Sequence, residues 1–172
     1  MNVLFLCTHN SARSILAEAL LNHIGAGRFR AYSAGSSPRE NQRPNPLGLQ
    51  VLQQAGIPTD GLRSKSWDEF AVPGAPHMDL IITVCDNAAG EVCPIWPGHP
   101  ATAHWGYADP SAGDAPDEVK RQAFEQTRIA IQQRLQQLGA VPVASTPQEY
   151  REWLKKDHAR WSQLIKLAQI KE

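Results

Sequence analysis

Apolar residues along this chain fall into short runs whose spacing switches between strand-like and helix-like periods. Asn2 to Leu6 is an apolar run that ends in a polar turn and predicts a buried strand. From Ser14 to Ile24 the apolar residues Ile15, Leu16, Ala19, Leu20 and Ile24 recur at helical spacing, and Gly25 and Gly27 stop the pattern. Phe29 to Ser33 alternates as a second strand, closing at Ala34-Gly35. A proline-rich loop with Pro38, Pro44 and Pro46 leads into a second helix over roughly Pro46 to Ala55, closed by Gly56 and Pro58. Met78 to Val84 is the strongest strand signal, and its near-continuous run of Ile81, Ile82 and Val84 suits a sheet covered on both faces. Pro94 to Gly113 reads as irregular. Asp117 to Leu138 then reads as a long helix with Phe124, Ile131, Leu135 and Leu138 on one stripe and Gly139 as its stop.

Strands alternating with helical connections imply a parallel α/β sheet with helices on both faces. In such sheets active sites lie beyond the carboxyl ends of the strands. Two cysteines fall there: Cys7 ends the first strand, and Cys85 ends the strand from Met78 to Val84. Beyond Gly139 the character changes, which divides the chain into a domain over 1–139 and an appended amphipathic helical tail over 140–172. In that tail Thr146-Pro147-Gln148-Glu149 supplies an N-cap, a proline at the first helical position and a capping-box glutamate. Tyr150, Trp153, Leu154, Trp161, Leu164 and Ile165 then share one side of the helix.

At 172 residues the chain suffices for one well-buried domain plus an appendage. Its 17 basic and 17 acidic residues cancel, which argues against a nucleic-acid partner. No stretch approaches the roughly 18 to 20 apolar residues that cross a bilayer, and the first residues do not read as a signal peptide. Three cysteines are too few for a disulfide scaffold and fit a reducing, cytoplasmic compartment. The six histidines show no His-x-x-x-His pattern, so no metal site is expected.

Cys7-Thr8-His9-Asn10-Ser11-Ala12-Arg13 joins the first strand to the first helix. A loop entering a helix N-terminus gathers backbone N–H groups into one concavity suited to a tetrahedral oxyanion. Arg13 adds a planar fork for two of that anion's oxygens. The same positive field is expected to lower the pKa of Cys7, with Ser14 placed to donate to the sulfur. A bare C-x5-R recurs by chance; an apolar strand before it and a helix after it favour a working loop.

Val3-Leu4-Phe5-Leu6-Cys7 through Ser14 closely resembles the phosphate-binding loop of the low-molecular-weight protein tyrosine phosphatase superfamily, and within it the thiol-dependent arsenate reductases. The resemblance covers roughly residues 1 to 138. It implies a four-stranded parallel sheet flanked by helices, to which this chain adds an extra C-terminal helix, and an oxyanion held by Thr8, His9, Asn10, Ser11, Ala12, Arg13 and Ser14. His9 stands where the family often has glycine and is read as facing solvent; Ala12 stands where it often has cysteine.

Phosphatase and reductase both begin with attack by Cys7. A phosphatase then needs water, whereas reduction of As(V) to As(III) takes two electrons from further thiols. Cys85 and Cys93, in C-x7-C spacing after a strand, resemble the redox loop of the reductases; that spacing is not zinc-like. The resemblance implies that Cys85 attacks Cys7, that Cys93 attacks Cys85, and that an external thiol reductant completes the cycle with no bound cofactor. Thioredoxin is the expected reductant, with a glutaredoxin or small-thiol system as the alternative. Asp109, in His104-Trp105-Gly106-Tyr107-Ala108-Asp109-Pro110, matches the family's Asp-Pro motif and is the expected general acid. Tyrosine phosphatases of this family usually place a tyrosine after Asp-Pro, where this chain has Ser111. The expected activity is therefore arsenate reduction by Cys7, Arg13, Cys85, Cys93 and Asp109. A tyrosine or acyl phosphatase using Cys7, Arg13 and Asp109 is the alternative enzyme, and a thiol-based arsenic sensor is the alternative outside enzymology. Ser145 to Lys171 resembles the C-terminal helix of periplasmic tricarboxylate-receptor proteins, but without a binding domain it reads as an extra packing helix.

Overall fold

The computed structural model describes residues 1–25, 27–90 and 96–139. Cys93 and the tail over 140–172, including its expected helix, lie outside the described residues. Four strands, β1 (Asn2–Cys7), β2 (Arg30–Gly35), β3 (Leu80–Thr83) and β4 (Ala101–His104), form one sheet in the order β2-β1-β3-β4. Every pairing is parallel. Among the described residues four helices accompany them: α1 (Arg13–Ile24), α2 (Pro46–Gln54), a single turn α3 (Asp86–Ala89), and α4 (Asp117–Gln137). A 3-10 turn over Trp67–Phe70 precedes β3.

Most elements lie where the hydrophobic pattern puts them, because their apolar positions meet the core. α1 buries Ile15, Leu16, Ala19 and Leu20 against the sheet, and α4 buries Phe124, Ile131 and Leu135. β1 is buried from Val3 to Cys7, as expected of a central strand with cover on both faces. One face packs Val3, Phe5 and Ile82 against α1, α2 and α4. The other packs Leu4, Leu6 and Ile81 against Trp67, Phe70, Met78 and Trp96, so among the described residues aromatics from loops and a 3-10 turn cover that face.

One element departs from the sequence reading. The irregular stretch expected from Pro94 to Gly113 contains β4, an edge strand of Ala101-Thr102-Ala103-His104. Its residues are small or polar and carry little strand propensity of their own. Pairing with β3, Leu80 opposite Ala101 through Thr83 opposite His104, makes it a strand.

The strand order places the site. From β1 the chain goes through α1 to β2 on one side, then returns to β3 on the other, so β1 and β3 flank the point where strand order reverses. The crevice beyond their carboxyl ends is the favoured ligand position in such sheets. Cys7 is the last residue of β1, and Cys85 follows β3 by two residues.

Candidate active site

The loop at Cys7 is held from below by a buried polar network. Asn10 adopts a left-handed backbone, φ 53, a conformation that asparagine tolerates better than most residues. Its backbone N–H donates to Cys7 Sγ at 3.2 Å. Its side-chain amide donates to Ser14 Oγ and Ser33 Oγ, both at 2.9 Å, and accepts from the Lys65 N–H at 2.9 Å. Ser64 Oγ donates to the Asn10 carbonyl at 2.6 Å. Beneath them Lys65 Nζ lies 3.5 Å from Glu18 Oε2 and from Ser33 Oγ, and Ser33 Oγ also donates to Glu18. Burial pushes Glu18 up and Lys65 down, while each one's charge opposes the shift of the other. Gly35 lets β2 approach this loop: a Cβ there would stand 2.7 Å from the Thr8 carbonyl and 3.0 Å from the Asn10 nitrogen.

Cys7 is buried, with its sulfur 2.9 Å from Ser14 Oγ as the sequence reading placed it. The expected direction of its pKa is overturned. Burial pushes the thiol up from its ordinary value, a charge on Cys85 would add to that, and the bonds from Ser14 and Asn10 pull down without prevailing.

No side chain caps α1 at Ala12. The N–H groups of Thr8, His9, Ser11 and Ala12 find no backbone acceptor among the described residues, which leaves them for an anion. Arg13 reaches across to the loop after β4. Its Nη1 donates to the Tyr107 carbonyl at 2.8 Å, and its Nη2 lies 3.4 Å from Asp109 Oδ2. The third nitrogen, Nε, is buried without a partner among the described residues. A buried unpartnered donor costs on the order of 1–3 kcal/mol, which an oxyanion accepting from it would offset.

Asp109 joins this constellation through Arg13, but in the opposite protonation state from a ready general acid. Burial raises its carboxyl, but bonds from Ser111 Oγ at 2.7 Å and Ser111 N–H at 2.9 Å, with the charges of Arg13 and His9, outweigh that and hold it below the ordinary carboxylate value. His9 is half-buried. Neither the hydrogen bonds from Ser111 to Asp109 nor the support from Glu18, Ser33 and Lys65 is legible in the sequence. A polar residue two positions after an aspartate in a turn is the one local signal for the first.

Cys85 is buried, free of any disulfide, and 3.5 Å from Thr8 Oγ1, so β3 delivers a second thiol to the same loop. Cys93 lies outside the described residues. Among the described residues no three His, Cys, Asp or Glu side chains are grouped to hold a metal ion, and no helix is long and apolar enough to cross a membrane.

Comparison with known proteins agrees with this geometry. The profile of the family described as low molecular weight phosphotyrosine protein phosphatase matches residues 2–157. An arsenate reductase of Bacillus licheniformis is 35% identical over 139 residues, covering 80% of this chain and 94% of that protein. Among solved structures, a thioredoxin-dependent arsenate reductase of Corynebacterium glutamicum superposes with a TM-score of 0.54 at 27% identity, over 78% of this chain and 60% of the other. A low molecular weight protein tyrosine phosphatase of T. tengcongensis superposes at 0.62 with 25% identity, over 79% and 98%. With an oxyanion loop at the end of β1, an arginine behind it and a match over nearly its whole length, the chain belongs to the low molecular weight phosphotyrosine protein phosphatase family.

Proposed function

We propose that the protein reduces arsenate to arsenite as part of arsenic detoxification, with Cys7 as nucleophile, Cys85 as second thiol and Cys93 as third. The observation that carries this reading is the meeting, beyond β1 and β3, of an anion cradle and a second buried free thiol. A phosphatase has use for the first only.

The oxyanion accepts from the loop N–H groups and from Arg13, including the Nε that lacks a partner. Cys7 sulfur attacks arsenic, an S–As bond forms, and one arsenate oxygen leaves as water. The proton that departing oxygen needs starts on the Cys7 thiol, which burial keeps protonated. Asp109, ionised and beside Arg13, accepts that proton and hands it on. Cys85 sulfur then attacks Cys7 sulfur. The S–S bond forms, the S–As electron pair passes to arsenic, and arsenite leaves; arsenic gains the two electrons that the two thiols lose. Cys93 attacks Cys85, frees Cys7, and leaves a Cys85–Cys93 disulfide for an external dithiol. Thioredoxin is the proposed donor, and the cytoplasm, where free thiols persist, the proposed setting.

Fully reduced protein mixed with arsenate and no external reductant should release about one arsenite and lose about two titratable thiols per chain, and Cys7→Ser should release none. Hydrolysis of p-nitrophenyl phosphate with no arsenite formed would sink the reductase reading and select the phosphatase.

A further inference from the structure

The motif His104-Trp105-Gly106 plays no part in the steps above, yet it reaches the segment that carries Cys85. The chain leaves β3 at Thr83, and Val84 still donates to the Leu6 carbonyl at 2.8 Å. Past Val84 the sheet pairing stops: Cys85 is extended, φ −140 and ψ 150, and Asp86 opens the single turn α3. Among the described residues, two polar side-chain contacts tie 85–89 to the rest of the molecule. One is Cys85 Sγ to Thr8 Oγ1 at 3.5 Å. The other is Asp86 Oδ1 to His104 Nε2 at 2.9 Å. His104 is fixed in turn at its other ring nitrogen, 2.7 Å from Thr83 Oγ1. Backbone bonds brace the two strand ends together, from the Trp105 N–H to the Thr83 carbonyl at 2.7 Å and from the Tyr107 N–H to the Val84 carbonyl at 3.3 Å. Gly106 leaves space for this tie, since a Cβ there would stand 2.7 Å from Asp86 Oδ1 and 3.2 Å from His104 Nε2.

We infer that His104 is a positioning residue for the second chemical step, acting through Asp86 to hold Cys85 where its thiol meets the sulfur of Cys7. The inference rests on the reductase reading above. Cys85 and Ala88 are buried in the core, so the bond between the exposed Asp86 and His104 sets the direction of the turn that carries the thiol rather than its place in the fold. Attack by Cys85 on Cys7 needs near-contact alignment of three atoms in line, and misplacement by about 1 Å can cost as much as a hundredfold in rate. The ring's two nitrogens serve two different partners, Thr83 and Asp86, so the tie depends on the imidazole's shape as well as on its polarity. The first step is untouched, because neither residue contacts Cys7, Asn10, Arg13 or Asp109.

The test uses the full chain carrying Cys93→Ser, in which the Cys7–Cys85 disulfide accumulates. Its formation after arsenate addition is followed by acid quench and peptide mapping, and the loop is read separately as protection of Cys7 from iodoacetamide by inorganic phosphate. His104→Ala and Asp86→Ala should each slow disulfide formation by about tenfold to a hundredfold with phosphate protection unchanged. His104→Gln, which restores a donor toward Asp86, should recover part of the rate. Disulfide formation at the parent rate in His104→Ala would overturn the inference while leaving arsenate reduction intact. Loss of phosphate protection in both variants would also overturn it, by assigning the pair a merely structural role. If the Cys93→Ser parent itself forms no disulfide with arsenate while phosphate still protects Cys7, the reductase reading fails and carries this inference with it.

Discussion

At the scale of single residues, the chemistry of Cys7 is set by a contest between burial and hydrogen bonds. Burial raises the thiol, and the Ser14 hydroxyl is the strongest influence against it. Ser14→Ala therefore moves the pH at which iodoacetamide alkylates Cys7 upward, and slows alkylation at neutral pH by about tenfold, the worth of a charge-assisted hydrogen bond of about 1.5 kcal/mol. An unchanged or downward-shifted alkylation profile would contradict the account. Asp109 shows the reverse balance, with Ser111 the largest influence opposing burial. Since Asp109 must be ionised to take the proton from Cys7, activity falls as pH drops through its pKa. Ser111→Ala raises that pKa, so the acidic limb of kcat/KM should move to higher pH, and a limb that stays in place would remove Asp109 from the proton path. The positions of Cys7, Arg13, Ser14 and Asp109 were legible in the sequence because each belongs to a short motif. The direction of the Cys7 shift was not legible, because a thiol's desolvation is decided by residues that pack over it from other elements.

At the scale of elements, the segment from Arg63 to Ser66 supports the loop although no local pattern marks it. Gly35 N–H donates to the Lys65 carbonyl at 2.8 Å, Lys65 N–H donates to Asn10, and the Lys65 ammonium reaches Glu18 of α1. Both charged side chains are almost buried, 6% and 12% exposed. Lys65→Met removes the cation nearest Glu18 and leaves it the Ser33 hydroxyl, and breaking a buried pair costs on the order of 3–5 kcal/mol. The pH dependence has a definite sign. Burial already raises Glu18 above its ordinary 4.5, and the Lys65 charge is the main influence opposing that rise. In the variant the folded state keeps the proton to higher pH than in the parent, so the stability deficit grows as pH rises past the point where the parent's folded Glu18 ionises, which burial already sets above the ordinary 4.5. Urea titrations of both proteins between mildly acid and neutral pH measure this, and a deficit that shrinks with rising pH would contradict it. Helices and central strands could be read from the sequence because their apolar periods match their burial. β4 could not, since Ala101 to His104 gains strand geometry from its neighbour rather than from its own residues.

At the scale of the whole molecule, sheet order makes the site. Cys7 and Cys85 are far apart in sequence and meet because β1 and β3 pair in parallel, Val3 opposite Leu80 through Leu6 opposite Thr83. Hydrophobic pattern predicted strands ending in both cysteines, but their adjacency is a property of topology that periodicity does not encode. The family resemblance supplied it. If this adjacency turns an oxyanion-binding loop into a reductase, NADPH oxidation in the presence of thioredoxin and thioredoxin reductase depends on arsenate. The unmodified protein should turn over, and Cys85→Ser should not. Undiminished turnover in Cys85→Ser would contradict this role for the adjacency.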